Sequence, residues 1–337
     1  MSPEISSDNL GKFEIHETKS DDEWDCWNET SPQGTIFTTS LFLKSARVPY
    51  RRFFVRKGNE AKAAFCLCES EDGRQCIADD LVIHTGLLFA KDSSANHSRE
   101  RRMRFEITEL AIAHLVANYD SIEWPLSPNT EDMRPFLWHN YHGEKEKQFQ
   151  MELKYTSYLQ IDELVNAEDE QMTSIFGHLE ARRRRNIREA ERSGATIETE
   201  CPAETLLTFY NQVMADQGQA LDSQKATRVK DLIASLTNAE KAFSFLARAK
   251  DGEPIYAASF ACDCKCAYYL FGGGKTSDKK RYQGTFLFWK AFVFFATMTD
   301  IRKIDWEGVN SPQRGWFKLG FGGTLQPYYI AHWTRNK

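Results

Sequence analysis

The chain has 337 residues, too many for one ordinary core and enough for two domains of about 150 to 180 residues each. Apolar residues make up 41%, aromatic ones 13% and charged ones 27%, which excludes wholesale disorder. Forty-three Lys and Arg against 48 Asp and Glu leave a net charge of -5, so bulk attraction to nucleic acid or an anionic membrane is not expected and any polyanion must be met by a local patch.

The first residues, Met-Ser-Pro-Glu-Ile-Ser-Ser-Asp, have neither the basic start nor the apolar stretch of a secretory signal. A cytoplasmic compartment with reduced thiols is the expectation for the 8 cysteines. Further on, the apolar run Leu81-Val-Ile-His-Thr-Gly-Leu-Leu-Phe89 predicts a strand, followed by the basic stretch 99–104, helical periodicity through Asn118, and a strand over 121–124. The charge run 143–148 marks a boundary and divides the chain into domains 1–150 and 151–337. Helical periodicity follows over 173–193, 203–217 and 226–237, with Gly194 as a carboxyl-terminal cap. Residues 242–249 and 255–260 read as an antiparallel hairpin that 262–270 extends into a meander.

Then the order of the first half returns. A strand over 267–271 precedes the basic stretch 275–281, a helix over 285–299 and a strand over 303–306. Ile122-Glu-Trp and Ile304-Asp-Trp stand 182 residues apart (304 less 122), which indicates a tandem duplication. A strand, basic loop, helix, strand unit predicts a right-handed crossover between parallel neighbours, so the fold class is α+β. The apolar segment 286–296 is interrupted by Lys290 and falls short of the roughly 20 residues of a spanning helix; it reads as a buried helix, with no membrane span.

Four motifs in the second half carry a resemblance: Tyr155-Thr-Ser-Tyr-Leu, Arg182-Arg-Arg-Arg-Asn-Ile-Arg-Glu-Ala190, Asp305-Trp-Glu-Gly308, and Trp316-Phe-Lys-Leu-Gly-Phe-Gly-Gly323. Together they resemble the FemAB-like branch of the GNAT acyltransferases, including the BioF2-like acetyltransferase domain type. The first half matches through Gly34-Thr-Ile-Phe37 and Asp132-Met-Arg-Pro-Phe136. The resemblance implies two GNAT-like domains in tandem, each a mixed, mostly antiparallel sheet flanked by helices. It implies N-acyl transfer from acyl-CoA or aminoacyl-tRNA as co-substrate, with no tightly bound cofactor. The acceptor would be an amine of a metabolite or a cell-envelope precursor. Transfer RNA is then a candidate partner and DNA is not. The long coiled-coil insertion of some tRNA-using relatives is absent, since 195–241 breaks into short helices.

Acyl transfer to an amine needs a donor pocket, a proton acceptor and positive charge or amide donors facing the oxyanion. For the donor, Arg281-Tyr-Gln-Gly284-Thr285 opens the apolar helix, where free amides and a close-approaching glycine suit a phosphate. This is similar to the GNAT pyrophosphate loop, although Phe286 stands where that loop has a small residue. An ordinary helix cap is the other reading. Gly272-Gly-Gly-Lys-Thr276 lacks the earlier glycine of a Walker loop, Tyr269 standing there, which excludes an ATP site of that kind. By resemblance, Lys318 would stabilise charge in the transfer step, with Phe317 as its packing partner. Its alternative is a structural lysine on a strand end beside a glycine turn.

Asp305 and Glu307 flank Trp306 on the predicted strand, so both carboxylates share a face. Glu307 is the candidate base or amine ligand; satisfying loop amides is the competing role. Tyr328 is a candidate proton donor to the leaving group, or a core residue. Within the arginine run, Arg184, Arg185 and Arg188 are candidates for a phosphate-rich partner, against the plainer reading of solvated charge. Arg134 and Trp138, beside His139 and His142, are candidates for acceptor recognition. No metal site is expected: Cys262, Cys264 and Cys266 alternate with sulfurs about 7 Å apart along one strand face, as buried fillers, and the two histidines lack a third ligand. A catalytically silent protein that binds a phosphate-bearing partner through its basic helix is the alternative to an enzyme.

Overall fold

Alternating and continuous apolar runs become strands wherever one sheet face or both are covered, and the chain groups them into two units. The computed structural model describes residues 13–91, 95–275, 283–298 and 300–335. One unit comprises residues 1–154 with 327–337, the other residues 155–326.

The first unit contains, in order, β1 (Glu14–Glu17), α1 (Asp21–Thr30), α2 (Ser40–Ser45), β2 (Tyr50–Lys57), β3 (Glu60–Glu69), β4 (Gln75–Ile77), β5 (Gly86–Phe89), α3 (His97–Asn118), β6 (Ser121–Pro125) and α4 (Arg134–Trp138). β1, β2 and β3 are successive antiparallel neighbours, and β4 joins β3 to β6. On one face Phe53, Phe65, Leu87 and Trp124 meet Ile107, Ala111 and Leu115 of α3. On the other face Trp24 of α1 packs with Phe54, Ala64, Cys66 and Leu88. The fully buried indoles of Trp24 and Trp124 are satisfied, Trp24 Nε1 donating to the Thr38 carbonyl at 2.6 Å and Trp124 Nε1 to the Cys66 carbonyl at 2.9 Å. Gly34 is required by close approach, because a Cβ there would lie 1.8 Å from the Asn28 carbonyl oxygen.

The expected parallel pairing in this unit falls on a different strand. β6 runs parallel to β4 through Gln75↔Ser121 and Cys76↔Ile122. β5 pairs antiparallel with β3 instead, and the 81–89 run meets the strand after α3 only at the single parallel bridge Thr85↔Leu126.

β7 (Gln150–Gln160) carries the chain into the second unit. There follow α5 (Ser174–His178), α6 (Ala181–Arg192), β8 (Thr196–Glu198), α7 (Ala203–Ala215), α8 (Ser223–Asn238), β9 (Ala242–Arg248), β10 (Pro254–Cys262), β11 (Ala267–Gly274), α9 (Gln283–Ala296), β12 (Lys303–Asp305), α10 (Pro312–Leu319) and β13 (Thr324–Thr334). The sheet order is β7-β12-β11-β10-β9-β8. Its β9-β10-β11 meander follows the sequence expectation, and β11 and β12 are the parallel neighbours that the crossover through α9 predicts. α9 is apolar nearly all round, and Phe288, Trp289, Phe292 and Phe295 are buried in one cluster with Trp306 and Phe321. Among the described residues no helix is long and apolar enough to cross a membrane.

Three sequence expectations change here. From Pro327 onward the last strand belongs to the first unit, where Ile330↔Pro125 to Thr334↔Ser121 pair it antiparallel to β6; the division at 150/151 therefore shifts and gains a returning strand. The helix over 173–193 is two helices, broken at Leu179 and Glu180. The alternating cysteines do not share a strand face. β10 ends at Cys262, and the Asp263 carboxylate accepts from the amides of Lys265 (2.7 Å) and Cys266 (2.9 Å), turning the chain so that Cys264 is exposed.

Phe288 touches seven aromatic rings, those of Tyr256, Phe260, Tyr269, Phe292, Trp306, Phe317 and Phe321. Phe288→Ala should cost about 3–5 kcal/mol of stability. Met172→Ser, at an exposed site, should cost no more than about 0.5 kcal/mol. Urea unfolding of the two variants measures the contrast; equal midpoints would mean that this aromatic cluster does not hold the unit together.

Candidate active site

The parallel ladder between β11 and β12 is two residue pairs long, Ala267↔Ile304 and Tyr268↔Asp305. β11 runs on to Gly274, whereas the backbone after β12 turns away: Glu307 and Gly308 both take left-handed conformations, with φ of 48° and 46°. Glu307 lies just past the strand rather than in it, and its carboxyl is placed by a turn, still beside that of Asp305.

The two carboxyl groups approach with oxygens within 4.8 Å of one another. Asp305 Oδ1 accepts from the Glu307 amide at 2.9 Å and from the Thr156 hydroxyl. Asp305 Oδ2, both carboxyl oxygens of Glu307 and the Ser157 hydroxyl are buried without a hydrogen-bond partner. Burial pushes the Asp305 carboxyl up to about 6, against the pull of its two hydrogen bonds. Burial raises Glu307 well above the ordinary range, and the neighbouring Asp305 adds to the shift. Both carboxyls are thus held above their ordinary range, Asp305 against two hydrogen bonds and Glu307 with no hydrogen bond to oppose its burial.

Lys318 is on α10 rather than a strand end, and only 8% exposed. Its ammonium donates to the carbonyls of Trp306 (2.7 Å), Glu307 and Gly308 (3.0 Å), and lies 5.0 Å from the Tyr269 ring centre. Burial pulls its pKa down to about 8, partly offset by Glu307. The cation therefore stands beside the carboxyl pair with its donors spent on main chain.

The arginine that sequence reasoning passed over is Arg183. It faces inward with Ile187 and Ala190, a spacing of four and three residues that already marked one helix face. Its guanidinium lies 4.3 Å over Phe317 and 5.6 Å from Phe321. It donates to the Phe317 carbonyl at 3.2 Å and approaches the Thr285 hydroxyl at 3.4 Å, while Nε is buried without a partner. Burial lowers its pKa. Arg183, Arg182, Glu180, Trp316 and Phe317 line a cavity of about 440 Å³, with Trp316 71% exposed at its edge.

Of the residues expected at the donor site, Arg281 lies outside the described residues. Gly284 and Thr285 open α9, but a Cβ at Gly284 would come 2.8 Å from the Tyr256 ring, so this glycine admits a neighbouring side chain. Thr285 is buried against Arg183, and Phe317 packs beneath it. Along α6, Arg184 donates to the Gly177 carbonyl and Arg188 to Gln171 while lying over Phe176. Arg182 and Arg185 are exposed and make no hydrogen bond or ion pair among the described residues. The structure does not gather every candidate. Tyr328 belongs to the first unit, edge-on to His84 with ring centres 4.8 Å apart. Arg134 and Trp138 are also there; Arg134 forks onto Asp132 at 2.8 and 2.6 Å and lies over the rings of Phe105 and Trp138.

No sequence-family model and no curated protein sequence matches the chain. Solved structures do. FemX superposes with a TM-score of 0.62 at 14% identity, over 94% of this chain and 96% of its own. A tandem GNAT protein from the clavulanic acid biosynthesis pathway gives 0.53 at 11% identity, over 95% and 97%. L-PGS from Bacillus licheniformis gives 0.53 at 14% identity, over 96% and 95%. The chain has the FemAB-like fold, two GNAT-type units in tandem.

Removing the ammonium of Lys318 strands three carbonyl oxygens. Lys318→Met should lower stability by about 1–3 kcal/mol. The folded pKa of this lysine lies below its unfolded value, so between about 8 and 10.5 the unfolded chain binds more protons, and the lysine's contribution to stability rises with pH across that window. Urea midpoints of the two proteins at pH 7 and pH 10 should therefore diverge further at the higher pH; a constant gap would mean that the lysine titrates normally.

Proposed function

We propose that the protein is an N-acyltransferase that moves an acyl or aminoacyl group from an activated, phosphate-bearing donor, acyl-CoA or aminoacyl-tRNA, to an amine. The acceptor is a metabolite or a cell-envelope precursor, and the cytoplasm, where both donors are made, is the place of reaction. The observation that carries the reading is the buried Asp305 and Glu307 pair, with three carboxyl oxygens left unpartnered at the point where β12 parts from β11. Buried polar groups of this kind persist where they are used.

In this reading the donor's phosphates lie toward Arg182, the exposed cation at the 440 Å³ cavity, and toward the amino-terminal end of the 14-residue helix α9. Arg183, wedged between Phe317 and Thr285, positions that helix start. The donor carbonyl sits at the strand opening. Asp305, largely ionised at neutral pH, takes a proton from the incoming amine through Oδ2. The C–N bond forms as the C–S or C–O bond to the donor breaks, and Glu307, holding its proton, gives it to the departing sulfur or oxygen. Transfer of the proton from Asp305 to Glu307 then restores both groups. Lys318 acts as a positioning residue, holding the turn that carries Glu307. The matched folds support acyl transfer as the reaction class; Arg182 and Arg185, exposed on α6, equally suit a silent protein that only holds a polyanion.

Incubation with acetyl-CoA or with aminoacyl-tRNA, each labelled in the acyl group, in cell extract followed by mass spectrometry should find a small molecule that gains the label. The rate should rise with pH around a midpoint near 6, as Asp305 ionises. Asp305→Asn should slow transfer by about a hundredfold or more while leaving the donor's thermal stabilisation of the protein in place. Undiminished transfer in that variant would remove Asp305 as the base. Thermal stabilisation by a donor, with no labelled product, would favour the silent protein.

A further inference from the structure

The first unit holds a cavity of about 480 Å³ between the amino-terminal end of α3 and the segment 129–134. That volume lies within the roughly 300–1,000 Å³ of small-molecule pockets. Three guanidinium groups, Arg101, Arg104 and Arg134, and three carboxyl groups, Glu100, Glu131 and Asp132, line it. Four of the six are committed to each other. Arg104 donates to Glu100 at 3.0 Å, and Arg134 forks onto Asp132. Arg101 and Glu131 remain, both exposed, with no hydrogen bond or ion pair among the described residues, although the charge of Arg101 also helps to hold the Asp132 carboxyl low. In the same wall the Thr130 hydroxyl is buried without a partner.

A cavity left with one cation and one anion fits neither a phosphate nor a metal ion well. Phosphate would meet three carboxylates, and a cation three guanidinium groups. A ligand carrying both charges is matched at each end. We propose that this cavity binds a zwitterion, an amino acid or short peptide whose carboxylate pairs with Arg101 and whose ammonium pairs with Glu131, with Thr130 hydrogen-bonding to the ligand. The site lies wholly in the first unit, and the inference does not rest on acyl transfer.

Calorimetric titration of the full chain with L-alanyl-L-alanine tests it, beside N-acetyl-L-alanine, L-alaninamide and inorganic phosphate. Saturable dipeptide binding is expected, weakened about tenfold or more by loss of either charge on the ligand. Arg101→Gln and Glu131→Gln, surface changes that leave folding intact by circular dichroism, should each weaken it to a similar extent. Asp305→Asn should bind the dipeptide as the wild type does, which separates this site from the carboxyl pair of the second unit. No dipeptide binding up to about 10 mM, well into the weak-affinity range, would overturn the proposal. So would binding that ignores both substitutions, or phosphate bound as tightly as the dipeptide.

Discussion

Three successive carbonyl oxygens, those of Trp306, Glu307 and Gly308, converge on the single ammonium of Lys318. A buried charge is costly unless its donors are all matched, and here the match is made by main chain that has nowhere else to bond. Left-handed backbone at Glu307 and Gly308 aims the carbonyls inward, and the same turn ends the short pairing of β12 with β11. The glycines of the carboxyl-terminal motif let α10 deliver the lysine. A Cβ at Gly315 would lie 2.4 Å from the Val309 carbonyl oxygen, and one at Gly320 would lie 2.7 Å from Glu180 and 2.8 Å from Arg183. The helix is thus pressed against the turn at one end and against the start of α6 at the other. The motif is a fitting for the turn, and the carboxyl pair inherits its burial from that fitting.

Burial then does the electrostatic work. Asp305 has two hydrogen-bond donors and Glu307 has none, so hydrogen bonding opposes the upward push of burial at the first, while at the second the neighbouring Asp305 adds to it. Two carboxyl groups of nearly identical chemistry acquire different proton affinities from one difference in local geometry, the Glu307 amide folding back on Asp305. The turn that supplies that amide is the one Lys318 holds. Charge on the lysine, shape of the turn and proton affinity of the acids are therefore a single constraint.

Much of the fold was legible in the sequence because it was written in local periodicity. The β9-β10-β11 meander, the buried α9 and the cap at Gly194, with φ of 78°, each follow from a pattern within about ten residues. What escaped depends on distant partners or on backbone that side chains do not advertise. The return of β13 to β6 pairs residues some 200 positions apart, and no local pattern encodes it. Glu307 has positive φ without being glycine or asparagine, so the strand was expected to continue through it. Arg183 was hidden in a run of four arginines; only its phase relative to Ile187 and Ala190 distinguished it from its exposed neighbours. In the cysteine run, the Asp263 carboxylate captured two amides and overrode the alternation.

The two units share an order of elements but divide their polarity differently. α9 is enclosed by apolar side chains and carries Lys290 as its one charged residue. α3 opens with Arg99, Arg101, Arg102 and Arg104, cations placed near the positive end of a 22-residue helix dipole, where they are unfavourable by a few tenths of a kcal/mol each. Glu106 and Glu100 offset two of them through pairs four residues apart, Arg102 with Glu106 at 2.8 Å and Arg104 with Glu100 at 3.0 Å. Arg101 has no such intrahelical partner and stands at the cavity instead. The two units therefore differ in charge placement on this helix as well as in strand pairing, since the strands that flank α9 pair in parallel and those that flank α3 do not.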